Sequence, residues 1–213
     1  MSAVSRQDHW RNVYASKREN EVSWFQDSAV PSLELIEGTS ASPHSHVIDI
    51  GGGASRLVDN LIAKGFNHLA VLDLSETALR SAQARLGASA AKVEWIVADV
   101  AAWEPQRLYD VWHDRAAFHF LTEAADRAAY IDRLGRALRP GGHAIIATFA
   151  LDGPERCSGL PVIRYDAASL SKTLGPPFDL MDNRRHEHIT PWGAKQQFQF
   201  SVLRLRPAGA DIA

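Results

Sequence analysis

Cysteine is nearly absent: Cys157 is the only one in 213 residues. A lone thiol cannot form an internal disulfide framework, so a hydrophobic core must hold the fold, and a reducing, cytoplasmic setting is expected. No block of Lys or Arg occurs, and 23 basic against 25 acidic residues leave a net charge of −2. That balance lacks the electrostatic footprint of a nucleic-acid binder. No apolar run is long enough to span a membrane, and the N-terminus shows no signal-peptide pattern. Internal repeats and low-complexity stretches are also missing. Against these absences stands an ordinary globular composition, 46% hydrophobic and 23% charged. It is expected to form one domain over residues 1–213 with a full core. Composition leaves the oligomeric state open.

The most informative stretch is Val47 to Asp73. Val47, Ile48 and Ile50 are β-branched, as a buried parallel strand requires. Gly51, Gly52 and Gly53 follow, and glycine permits positive φ and close approach of a ligand to the backbone. Ser55 is expected to cap a helix that buries Leu57, Val58, Leu61 and Ile62 and stops at Gly65. A second strand, Leu69 to Leu72, ends at Asp73. Strand, glycine turn, helix, strand and acid make a nucleoside-binding unit. The dinucleotide fingerprint G-x-G-x-x-G fails here, because Arg56 stands where its third glycine belongs. Asp49, inside the first strand, would repel a pyrophosphate but suits a ligand with a cationic amino group. S-adenosylmethionine (SAM) has an ammonium, a sulfonium and no phosphate.

Around this unit the chain divides into an N-terminal segment (1–45), a core (46–150) and a final part (151–206). Trp10, Tyr14, Trp24 and Phe25 make Gln7 to Gln26 aromatic-rich. The segment is either a lid over a cofactor or a packed flank. Pro31 starts a helix. Ser75 caps another that runs to about Leu86. Strands follow at Val93–Val97, Tyr109–Trp112 and Ala144–Phe149, with a helix capped by Thr122 before the last. Asp152 to Pro161 is rich in turn formers and reads as an active-site loop. A short helix, Ala167 to Leu174, precedes two long strands, Phe178–Ile189 and Gln196–Leu205, joined around Pro191-Trp192-Gly193 as a hairpin. Alternating strands and helices predict an α/β fold with a mostly parallel sheet.

These motifs resemble the class I SAM-dependent methyltransferases. Asp49-Ile50-Gly51-Gly52-Gly53 resembles that family's first strand end and glycine turn. Asp73 matches its ribose-binding acid, with Leu74 beside it. Asp99 matches the acid that binds the adenine amine, with the Val100 amide adjacent. Leu138-Arg139-Pro140-Gly141-Gly142 matches the turn before its fifth strand. The resemblance implies a Rossmann-like, doubly wound sheet of seven strands with an antiparallel C-terminal hairpin. It also implies SAM as cofactor and S-adenosylhomocysteine as product; Trp10 and His113 are read as further cofactor-side residues, with His113, like His119, otherwise a base or a packed residue. A weaker likeness, carried by Asp114-Arg115-Ala116-Ala117, Asp126-Arg127 with Tyr130, and Gly159-Leu160-Pro161, is to the thiopurine S-methyltransferase group. It implies a small acceptor with a thiol or other soft nucleophile. Glu21-Val22-Ser23-Trp24-Phe25 resembles a rival group, the elongation-factor lysine methyltransferases. A SAM-binding module without turnover is a third reading. The Asn-Pro-Pro-Tyr motif of many N-methyltransferases is not present.

For the chemistry, Asp114 and Arg115 leave the fourth strand where open α/β sheets bind ligands. Arg115 would orient an anionic acceptor or the SAM carboxylate, unless it only pairs with Asp114. His119, between Phe118 and Phe120, is either a base or a packed residue. Cys157 reads as an inert thiol. Arg164, Tyr165 and Trp192 either line the acceptor site or close the sheet. His186 and His188 lack a third ligand, so no metal site is expected.

Overall fold

The structure is a computed structural model that describes residues 3–207. Residues 1–2 and 208–213, which the single-domain expectation includes, lie outside the described residues. Nine strands and six α-helices alternate along the chain among the described residues. The core strands are β1 (His46–Ile50), β2 (His68–Asp73), β3 (Val93–Val97), β4 (Tyr109–Arg115) and β5 (Leu138–Phe149). A two-residue pair, β6 (Arg156–Cys157) and β7 (Leu160–Pro161), stands apart, and β8 (Phe178–Ile189) and β9 (Lys195–Leu205) close the main sheet. The strand order is β3-β2-β1-β4-β5-β9-β8. The first five strands are parallel, and β9 runs antiparallel to both β5 and β8.

Alternation along each strand builds two cores. Val47, Leu69, Val71, Val111, Ile145 and Ala147 face one side, against Leu33 and Ile36 of α2 (Val30–Gly38), Leu57 and Leu61 of α3 (Leu57–Ala63) and Leu79 of α4 (Glu76–Leu86). Ile48, Ile50, Leu72, Trp112, Ala144 and Ile146 face the other, against Tyr130 and Leu134 of α5 (Ala124–Ala137) and Leu170 and Leu174 of α6 (Ala167–Leu174). Both faces are covered, as parallel sheets require. The sheet is therefore doubly wound, as expected.

Local boundaries moved where caps differ. α3 starts at Leu57 behind Arg56, and the Ser55 hydroxyl accepts from the Leu57 amide at 3.1 Å. Thr122 does not cap α5, which begins after Glu123 without a side-chain cap. β4 runs on to Arg115, and β5 begins in the Leu-Arg-Pro-Gly-Gly turn itself. There a Cβ on Gly142 would lie 2.9 Å from the Arg139 carbonyl oxygen and 3.0 Å from that of Asp110, so backbone approach demands glycine.

The exit of β4 is fastened from the α5 side. Asp114, fully buried, accepts from the Ala117 amide at 2.8 Å and the Phe118 amide at 3.1 Å. It also accepts from the Tyr130 hydroxyl at 2.7 Å, which in turn accepts from Trp112 Nε1 at 2.8 Å. Tyr130→Phe strands the Trp112 donor and removes one of the carboxylate's donors. It is expected to cost about 1–3 kcal/mol in urea unfolding, the penalty of an unmade buried hydrogen bond. An unchanged midpoint would show that the network does not hold the strand exit.

Candidate active site

Parallel strands bring their carboxyl ends to one edge, and the strand order reverses between β1 and β4, where ligands bind in such sheets. A cavity with about 850 Å³ of empty space opens there. Its floor is Ile50, Gly51, Leu72, Asp73, Leu74, Asp99, Val100, Ala116 and Ala117. Its roof is α1 (Ala3–Ser16) and the segment after it, through Arg6, Trp10, Tyr14 and Trp24. Phe149, Cys157, Gln196 and Phe198 line it as well, from β5, β6 and β9.

The glycine turn is a cradle. The Gly51 amide donates to the Leu72 carbonyl at 2.7 Å, which binds the turn to β2. At Gly53, φ is +44°, and a Cβ there would lie 2.8 Å from the Tyr14 hydroxyl oxygen and 2.9 Å from Asp73 Oδ2. Any side chain would collide with both, so only glycine lets Tyr14 and Asp73 close together over the turn.

Below the turn sits a buried relay. The Asp49 carboxylate accepts from His113 Nδ1 at 2.7 Å, and His113 Nε2 lies 2.8 Å from Ser32 Oγ. All three are at most 4% exposed. Asp49, Gly52, Gly53 and His113, expected at the cofactor, therefore stand behind or beside the cavity wall and support it. Trp10, Gly51, Asp73, Leu74, Asp99 and Val100 line it directly.

Two carboxylates face the cavity in different states. Asp99 accepts from Arg6 Nη2 at 2.8 Å and from the Ala101 amide at 2.9 Å, and Arg6 also reaches Asp126. Asp73 accepts from the Ser75 amide at 2.7 Å and pairs with no cation among the described residues. Burial pushes its acid up to about 7, the nearby Asp49 adds to this, and amides of Ser75 and Gly53 pull the other way. Burial likewise pushes Asp114 up to about 6.

Arg115 reverses the sign. Its Nη2 donates to the Trp24 carbonyl at 2.6 Å. Among the described residues no carboxylate pairs with it, so the pairing with Asp114 that the sequence left open is not made. Burial pulls its pKa down, and Asp49, Tyr14 and Cys157 push it back. It stands at the junction of the cofactor wall and the wall that carries Cys157. Burial raises that thiol to about 11, against pulls from Ser23 and Arg115.

Other expected chemistry moves away from the cavity. His119 is fully buried, and its Nδ1 accepts from the Phe149 amide at 3.3 Å. Its Nε2 has no partner, and burial pulls the ring down to about 3. A ring whose lone pair is committed to an amide cannot collect a proton, so His119 is a packed residue and not a base. Asp114 is a structural anchor that holds the Ala117 backbone of the cavity floor and does not itself line the cavity. Arg164 clips the Asp152–Pro161 loop through Gly153 and Glu155, Tyr165 is buried in the second core, and Trp192 is exposed. His188 donates to the Ser23 carbonyl at 2.6 Å and so props the roof. Sequence reading missed Arg6, Ser32 and Gln196. Arg6, Trp10 and Tyr14 are spaced by four, one face of a helix, and that stripe was available. Gln196 and Ser32 carried no local signal.

Comparison with known proteins agrees with this architecture. Residues 47–142 match the family described as a methyltransferase domain. The match runs from β1 to the first residues of β5, the stretch that carries the glycine turn, Asp73 and Asp99. A trans-aconitate 2-methyltransferase of Paracidovorax citrulli is 34% identical over 123 residues, which are 55% of this chain and 44% of the relative. One from Methylobacterium radiotolerans is 33% identical over 177 residues, 74% of this chain and 64% of the relative. The chain thus spans about half the length of several curated relatives it matches. The solved N-methyltransferase NodS of Bradyrhizobium japonicum superposes with a TM-score of 0.69 at 16% identity, over 93% of this chain and 99% of that one. It shares the methyltransferase domain's fold.

The raised carboxyls of this domain set its response to pH. Folded Asp73 and Asp114 stay protonated to about pH 7 and 6, against an ordinary 3.8. The folded state then binds more protons than the unfolded one, so stability falls as pH rises from about 4 to 7. Asp73→Asn keeps an acceptor for Ser75 without the buried charge. At pH 8 it is expected to raise the stability of the ligand-free protein by on the order of 2–4 kcal/mol, at about 1.4 kcal/mol per pKa unit. Its SAM affinity should fall at the same time. Equal melting temperatures for parent and variant at pH 5 and pH 8 would show that Asp73 titrates normally.

Proposed function

We propose that this chain is a SAM-dependent methyltransferase that transfers a methyl group to a small-molecule acceptor. The observation that supports the reading is one cavity lined together by Gly51 of the glycine turn, by Asp73 and by Arg115, neither of the two charged groups being in an ion pair among the described residues. The residues fit the cofactor. Asp73 accepts the ribose hydroxyls, and Asp99 and the Val100 amide take the adenine. Gly51 leaves room for the methionine part, and Trp10 and Tyr14 cover it. SAM supplies an already activated methyl group. The protein supplies position, holding the acceptor's reacting atom about 3–3.5 Å from that methyl, in line.

Arg115 binds the acceptor, because it reaches the side of the cavity built by Cys157, Phe149 and Phe198. A planar guanidinium clamps a carboxylate or similar anion in two-point geometry. The aromatic roof favours small acceptors over a lysine on a protein, and a soft thiol suits a site of this kind. The single reduced cysteine supports a cytoplasmic setting.

Calorimetry should show SAM and S-adenosylhomocysteine binding to the parent, and turnover with an acceptor panel separates an enzyme from a binding module. Arg115→Ala is expected to lower kcat/KM by roughly 100-fold, the loss of a charge-assisted contact of about 3 kcal/mol, while SAM affinity changes little. Arg115→Lys should restore only part of it. Collapse of SAM affinity along with activity would assign Arg115 to the cofactor's carboxylate instead.

A further inference from the structure

The cavity is short of one thing that most methyl acceptors need. An amine or a hydroxyl must lose a proton when it is methylated, and a side chain usually takes it. Among the described residues, the acceptor half of this cavity is lined by no group that can. Cys157 is raised to about 11 and Tyr14 is raised further by burial, so both keep their protons at neutral pH. His119 has its lone pair on the Phe149 amide and does not line the cavity. His186 and His188 lie near enough to feel Arg115, but neither lines the cavity, and His188 is bonded to the Ser23 carbonyl. Asp49 is engaged by His113. Asp99 is held by Arg6. Asp73 sits on β2, across β1 from Arg115, where the ribose would cover it.

A second observation points to charge. Arg115 brings a partly buried cation that lines the cavity, bonds to the Trp24 carbonyl and has no carboxylate at ion-pair distance among the described residues. A partly desolvated charge without a close partner is costly, and an anion in the cavity removes that cost. Gln196 adds a polar feature in the same wall: it is 9% exposed, and its buried Oε1 has no hydrogen-bond partner.

We propose that the acceptor enters already ionised, as a carboxylate or an acidic thiolate held against Arg115, and that no protein base takes part. This deepens the methyltransferase reading and rests on it. The anion's lone pair forms the new bond to the methyl carbon while the carbon–sulfur bond of the sulfonium breaks. That electron pair stays on sulfur, and both charges vanish with no proton moved. The methylated product is neutral at the reacting atom and loses its attraction to Arg115, which favours its release. Gln196 selects among such anions by accepting a hydrogen bond from a donor next to the reacting group.

The test uses the full chain, labelled SAM and a defined panel: trans-aconitate, benzoate, a series of para-substituted thiophenols of graded acidity, benzylamine and benzyl alcohol. Methylation of a carboxylate or of thiophenols, with the amine and alcohol inert, is the expected result, and which of the two reacts identifies the source of the anion. With thiophenols, the acid limb of kcat/KM should move in step with each thiol's own pKa. With a carboxylate, and with SAM saturating so that the titration of ligand-free Asp73 does not enter, the profile should be flat over about pH 6–9, since that group is ionised throughout. A limb that stays at one pH whichever acceptor is used would reveal a protein base and overturn the proposal. So would preferential methylation of the amine or alcohol, or inert anions in a protein that binds SAM by calorimetry. Absence of SAM binding is a separate result, and it removes the methyltransferase reading itself.

Discussion

The bond between His113 and Asp49 ties β4 to β1 across the point where the strand order reverses. It places a carboxylate under the glycine turn without exposing it, and Ser32 of α2 holds the far side of the ring. Burial first, and then the charge of nearby Asp49, raise the pKa of Asp73 and make it a weaker acid. The cradle, the relay below it and the uneasy acid beside it are therefore one electrostatic unit. Position along the strands decides who takes part. Asp49, Asp73, His113 and Arg115 share the parity of the first core, whereas Asp114, one residue off, belongs to the other face and fastens the backbone.

That parity explains what the sequence allowed one to read. The unit from Val47 to Asp73 was legible because strand, turn, helix and acid are consecutive, and each is marked by local chemistry. The hairpin of β8 and β9 was legible for the same reason, through the Pro-Trp-Gly turn. Arg115 and Asp114 were visible as neighbours, and neighbours suggest a pair. In a strand, however, adjacent side chains point to opposite faces, so the two could not share a site. The same rule, applied to Tyr109–Arg115, would have separated them in advance.

The features that stayed hidden are those that long-range packing delivers. Gln196 reaches the cavity because β9 lies beside β5, and Ser32 reaches His113 because α2 crosses the sheet. Neither position has a local signature. His119 is the opposite case. A histidine in an apolar run offers a base on paper, and its burial against Phe149 removes it by committing Nδ1 to an amide. Trp192 marks a turn and nothing more, since it is 59% exposed.

Taken across its length, the cavity is polarised. One half offers Asp73 and Asp99, and among the described residues only Asp99 is matched by a cation, Arg6. The other half offers Arg115, which makes no ion pair among the described residues. A ligand with ribose hydroxyls, an adenine amine and a sulfonium suits the first half, and an anion suits the second. Each ligand then improves the site for the other, because opposite charges in a buried space attract through a low dielectric. Reaction between them removes one positive and one negative charge together. The site that held two ions is left with two species each less charged by one, and the same field that gathered them no longer holds them.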